Sequence, residues 1–167
     1  KKLIVLVASV FMLQACDDGD ITLESFNFDT ATIQNCTDNN LVFKINDKEL
    51  LLLSIPESSF LNEETPDGSP RIINVGTTNQ IIYRLYSGNV SSATICSTLP
   101  PASPVVEKEW NASGGTIEII TDALYDVDGI TINGYTHNIK FKNVNFSNPD
   151  NSFSFTEYNF GNYETDL

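Results

Sequence analysis

Basic side chains are scarce: the 167 residues carry nine Lys and Arg against 22 Asp and Glu, for a formal charge of −13. Nucleic acids and anionic lipid surfaces draw much of their affinity from Lys and Arg releasing counterions, so this balance argues against either as a direct partner of the folded part. Histidine is scarcer still, with His137 alone available to any mechanism that needs an imidazole base. No Gly-x-Ser-x-Gly elbow, phosphate-cradling glycine loop or His-Glu-x-x-His pair is present. Glu107 and Glu109 share a strand face by spacing, as glycosidase carboxylates do, yet among 22 acids such pairs arise by chance. His137 itself, next to Asn133-Gly134, reads as an exposed strand residue. The chain is therefore read as non-catalytic, with a hydrolase of unrecognised site as the weakest alternative.

Long apolar runs are also few. The longest, residues 3–13, is interrupted only by Ser9 and follows Lys1 and Lys2. A bilayer-spanning helix needs roughly 20 apolar residues, so this shorter run fits the charged n-region and h-region of an export signal. The run ends in Leu13-Gln14-Ala15-Cys16, which resembles the lipobox of bacterial lipoproteins. That resemblance implies cleavage before Cys16 and acylation of its thiol and amine, with the membrane as a partner through the acyl chains. Several such chains hold a domain on a bilayer durably, at roughly 0.8 kcal/mol per buried CH₂. Asp17, Asp18, Gly19 and Asp20 follow, an acidic cluster that resembles the surface-export signal of Bacteroidota lipoproteins. It implies an outer-membrane protein displayed at the cell surface, with a periplasm-facing domain as the alternative. The expected organisation is a signal peptide over 1–15, a lipidated acidic tether over 16–20 and one domain over 21–167. Without Lys1 and Lys2 the remainder carries a charge of −15.

Two further cysteines, Cys36 and Cys96, remain. In an oxidising compartment a disulfide between them is favoured over two free buried thiols. One His with two Cys is too few for a structural zinc site.

Between frequent turn residues the segments are rich in Ile, Val, Thr, Phe and Tyr, which suit a pleated, half-buried surface. Strands are expected over 21–28, 41–46, 49–55, 71–75, 80–87, 92–96, 105–112, 115–124, 129–133, 135–146 and 152–160. Asn46-Asp47-Lys48 and Asn133-Gly134 read as hairpin turns, and the unbroken apolar run Leu50 to Leu53 as a strand covered on both faces. Helix is limited to a single turn over 58–64, before the Pro66-Asp67-Gly68 loop. The expectation is all-β: a single antiparallel β-sandwich, immunoglobulin-like or jelly-roll-like. The order Cys36, Cys96, Trp110 departs from the Cys, Trp, Cys order of antibody domains. Apolar residues recur at offsets 0, 2, 5 and 7 from Ile21, Ile139 and Phe153, a phase flip that predicts a β-bulge in each segment.

Two binding constellations stand out. Asp126-Val127-Asp128-Gly129 resembles the centre of an EF-hand loop, although Leu124 and Tyr135 stand where its outer ligands belong. With Asp122 it makes a candidate calcium site; no other cofactor is implied. Trp110 and Tyr135, with Tyr158 and Tyr163, offer flat rings for stacking a sugar, against the alternative of core packing. The functional expectation is a membrane-anchored module that binds a protein or glycan ligand or supports an envelope assembly, with a carbohydrate-binding module of a glycan-uptake system as the alternative.

Overall fold

A computed structural model describes residues 26–167. The expected signal peptide, Cys16, the acidic tether and the first five residues of the 21–28 strand lie outside the described residues. The elements are β1 (Ile33–Asn35), β2 (Leu41–Asn46), β3 (Glu49–Ser54), β4 (Arg71–Asn74), β5 (Gln80–Tyr86), α1 (Ser92–Cys96), β6 (Val106–Ala112), β7 (Thr116–Tyr125), β8 (Ile132–Ser147) and β9 (Ser152–Asp166), with a 3-10 turn at Glu57–Ser59. All strand pairs are antiparallel. The expected all-β class therefore holds. The two separate sheets of a sandwich, however, are not found among the described residues: the nine strands form one hydrogen-bonded sheet, curled into a half-barrel.

The curl follows from a crease. β6 and β7 lie end to end along one edge of β8 in a single register, Ala112 opposite Phe146 and Thr116 opposite Lys142, while β9 takes the other edge. Between them Gly114 and Gly115 adopt φ +154° and +89°. A Cβ on Gly115 would stand 2.4 Å from the Lys142 carbonyl, so only glycine lets the strands touch there. Directly across, Asn143 is left-handed at φ 52°. β8 and β9 turn over together at this line, because Phe141 pairs Tyr158 and Val144 pairs Phe155 without a change of register. Both members of the expected pattern on β8 thus stay inside, Ile139, Phe141, Val144 and Phe146 all being buried. A one-residue bulge does occur, but at Gly161 (φ 119°), where Phe160 is the extra residue between Ile139 and Lys140. Phe26 and Phe28 lie outside any strand and plug the curl, Phe26 touching the rings of Tyr83, Phe155 and Tyr158.

Inside the curl sits the main core, which includes Val42, Leu51, Leu53, Trp110, Ile117, Phe141 and Phe160. A smaller core on the outer face holds Phe43, Leu50, Leu52, Ile82 and Tyr86. β3, between β2 and β5, feeds both, as its continuous apolar run required. α1 corrects the strand expected over 92–96. Ser91 is extended, and the amides of Thr94 and Ile95 both turn back to its carbonyl (3.0 and 3.2 Å). That turn sets Ile95 and Cys96 against the outer core, so burial overrides the β propensity of Thr94 and Ile95. Cys96 is bonded to Cys36, with Cα atoms 5.4 Å apart.

The Asn46-Asp47-Lys48 hairpin forms as expected, with Asp47 at φ 53° and Asn46 opposite Glu49. Asn133-Gly134 does not turn the chain: both residues lie within β8, and the reversal comes earlier, at Asp126 to Thr131. Gly134 is needed for a different reason, since a Cβ there would meet the Thr165 carbonyl at 2.7 Å.

Candidate functional site

A cleft of about 290 Å³ opens where three stretches distant in sequence meet: the loop from β1 into β2, the 3-10 turn, and the late part of β9. The first wall carries Asn35, Thr37, Asn39 and Asn40; the second carries Glu57 and Phe60; Tyr163 closes the third side. The loop is held in shape by the Cys36–Cys96 bond and by two local hydrogen bonds. The Cys36 amide donates to the Leu41 carbonyl (3.1 Å), and the Leu41 amide donates to Asn39 Oδ1 (3.1 Å). Pro56 opens the 3-10 turn, which the amides of Ser59 and Phe60 close onto Pro56 and Glu57 (2.9 Å each). Phe60 and Tyr163 meet edge to face at 4.9 Å and 63°. Burial and the neighbouring Glu57 carboxylate hold the Tyr163 phenol above its ordinary pKa, so it presents a hydroxyl at neutral pH.

Behind this wall runs a buried polar chain that includes His137. The side chain is fully buried, which corrects the expectation of an exposed strand residue. Arg71 donates to Thr121 Oγ1 and to the carbonyls of Leu61 and Glu63 (3.2 Å each). Thr165 spends its one proton on Asn62 Oδ1, so it can only accept from His137 Nε2; Nδ1 of the neutral ring is then the acceptor, and Thr121 donates to it (2.8 Å). The imidazole then carries its hydrogen on Nε2 and donates to Thr165 Oγ1 (3.0 Å), which donates to Asn62 Oδ1 (2.8 Å). Burial first, and the charge of Arg71 second, lower the His137 pKa to about 4. The ring is neutral and both nitrogens are engaged, so it acts as a structural link. Thr65 adds reciprocal contacts, its hydroxyl accepting from the Thr121 amide at 3.1 Å and its amide donating to the Thr121 carbonyl at 3.0 Å. Residues 57–65 are thereby strapped over β7, β8 and β9.

The other sequence candidates fall elsewhere. Trp110 is 1% exposed and packs on Tyr83 at 5.0 Å, with its indole N–H on Asn151 Oδ1 at 2.6 Å. It belongs to the core and offers no face to a sugar. Tyr135 is half-buried opposite Ala123 and Thr165, away from the cleft, and Tyr158 packs inside the curl. Among the described residues no three His, Cys, Asp or Glu side chains are grouped to hold a metal ion, so Asp122, Asp126 and Asp128 are not brought together as a calcium site. Asp128 instead closes the β7–β8 turn. It accepts from the Thr131 hydroxyl and amide and from the Ile130 amide, which pull its pKa down to about 2. Glu109 is committed to Arg84 at 2.6 Å. Of the cleft residues, the sequence points to Tyr163, as one of several rings, and to Cys36, as half of a disulfide; the asparagines look like ordinary turn residues until the disulfide gathers them.

A second, more apolar cleft of about 380 Å³ lies on the outer face, between Leu52, Tyr86 and Ile95 and the Pro100, Pro101 and Pro104 loop. A scan of protein-family models and searches of curated proteins and of solved structures each return no match.

Proposed function

We propose that this chain is an envelope lipoprotein, acylated at Cys16 and displayed at the outer surface of the outer membrane, whose β domain is a non-catalytic binding module. The binding half is carried by the cleft: three separate stretches of chain converge on a concave surface whose loop is stapled and whose opposite wall is strapped. Such preorganisation lowers the ordering cost of taking up a ligand. Among the described residues its ionisable groups are Glu57 and Tyr163 alone, a poor basis for general acid and base roles and a good one for recognition. The anchoring half rests on residues 3–13, on Leu13-Gln14-Ala15-Cys16 and on the acidic cluster after it. In this reading the curled sheet serves as a sandwich whose two layers stay joined along the crease, with the binding surface at its edge.

The test is the mass of the chain extracted from membranes, followed by protease shaving of intact cells. The reading expects a mature chain that starts at an acylated Cys16, is lost from membranes in Cys16→Ala, and is digested from outside. An unmodified Cys16 overturns the anchor. Digestion only after lysis overturns the surface address and makes a periplasmic envelope assembly the setting.

A further inference from the structure

The cleft's lining selects a ligand chemistry. Its side chains include three asparagines, a threonine, a glutamate and a tyrosine, and among the described residues no Lys, Arg or His lines it. The side chains of Asn35, Thr37, Asn40, Glu57 and Tyr163 form no hydrogen bond with any other described residue. Asn39 uses its oxygen on the Leu41 amide and keeps its two N–H donors. Amides and hydroxyls offer donors and acceptors in comparable number, held on a loop that the disulfide has already fixed.

An anion would meet Glu57 with no cation to answer it. A hydrocarbon would cover all of these polar groups without pairing them. A divalent cation needs several converging carboxylates, and the described residues hold no such group. A polyhydroxylated ring satisfies the lining: each of its hydroxyls both donates and accepts, and its C–H face suits the wall formed by Phe60 and Tyr163. At about 290 Å³ the space lies at the lower end of ligand pockets, which matches one ring and not an extended oligosaccharide.

We infer that the cleft between the β1–β2 loop, the 3-10 turn and Tyr163 binds one uncharged sugar ring, its hydroxyls paired with Asn35, Asn39 and Asn40 and its apolar face against Phe60 and Tyr163. This rests on the reading of that cleft as the binding site. The net negative charge of the chain acts in the same sense, since it repels acidic sugars before contact.

The experiment is a titration of the isotope-labelled full chain in micelles of a detergent free of sugar and choline, followed by NMR. Glucose, galactose, mannose and N-acetylglucosamine are added separately, with glucuronate and choline as anionic and cationic comparators. At least one neutral sugar should give saturable shifts at the Asn35 and Asn40 side-chain amides and the Tyr163 ring, with Kd on the order of 1 mM. Asn40→Ala removes an exposed side chain without protein partners, so the fold should persist while affinity falls about fivefold. Glu57→Gln should narrow the preference for neutral sugar over glucuronate. Saturation by choline or glucuronate with none by the sugars overturns the ligand class and leaves the cleft a binding site. Cleft signals unmoved by all six compounds overturn both the ligand class and the cleft.

Discussion

The wall of the cleft built from the β1–β2 loop and the wall built from residues 57–65 face each other, and they are held by different kinds of interaction. The first is fixed covalently to α1 and packs its neighbours Phe43, Leu50, Leu52 and Tyr86 into an apolar outer core. The second lacks such a staple. It is held by a chain of hydrogen bonds through Arg71, Thr121, His137, Thr165 and Asn62. Apolar packing and a disulfide ignore pH over the physiological range, whereas a network whose centre is a neutral imidazole responds to it. One cleft therefore has a redox-sensitive side and an acid-sensitive side.

The largest expected effect breaks the first wall. Replacing both Cys36 and Cys96 with Ala reopens a loop of sequence separation 60, and the chain-entropy estimate for such a loop is about 4 kcal/mol. Denaturant melts should show a loss of that order, and a loss well below 1 kcal/mol would mean that packing alone shapes the loop.

Acid should act on the second wall. The His137 pKa is about 4 in the fold against 6.5 for the free side chain. Above pH 6.5 neither state holds the proton and the network is at full strength. Between 6.5 and 4 the unfolded chain takes up a proton that the folded chain refuses, so stability falls as pH falls. The total approaches about 3 kcal/mol. His137→Gln should remove this slope while leaving the carboxylate titrations at lower pH, and melts across that interval measure the difference. A parallel slope in the variant would assign the acid sensitivity elsewhere.

A smaller effect sharpens the same point. Thr121→Val keeps the shape but leaves a donor of Arg71 and Nδ1 of His137 unanswered, at a cost of about 1 to 3 kcal/mol. The damage should appear as faster amide exchange at residues 61–65, with the β1–β2 loop unchanged.

How much of this was legible in the sequence differs between the two walls. The apolar run Leu50 to Leu53 and the pair Cys36 and Cys96 announced a doubly covered strand and a staple, and both are present. Glycine and asparagine misled because their local signals are ambiguous. Gly134 reads as a turn and the expected last strand stops just before Gly161, yet one glycine admits a neighbouring backbone and the other forms a bulge inside β9. Residues 161–166 were therefore missed as strand. α1 was missed because Thr94 and Ile95 favour strands in isolation, and only the contact of Ile95 and Cys96 with the outer core selects the helix. His137 alternates correctly on β8, but nothing local shows that the strap covers it. The cleft was least legible of all, since its polar residues become a surface only after β1, the 3-10 turn and β9 are brought together.

The central claim, that the cleft stands between two independently held walls, is tested most directly by amide hydrogen exchange on the full chain at pH 7 and pH 4.5, with and without reductant, after correction for the intrinsic effect of pH. The account predicts that reductant deprotects residues 36–42 and 92–96 and spares 61–65, and that acid does the reverse. Deprotection of both walls together under either condition would contradict it and make the cleft a single cooperative unit.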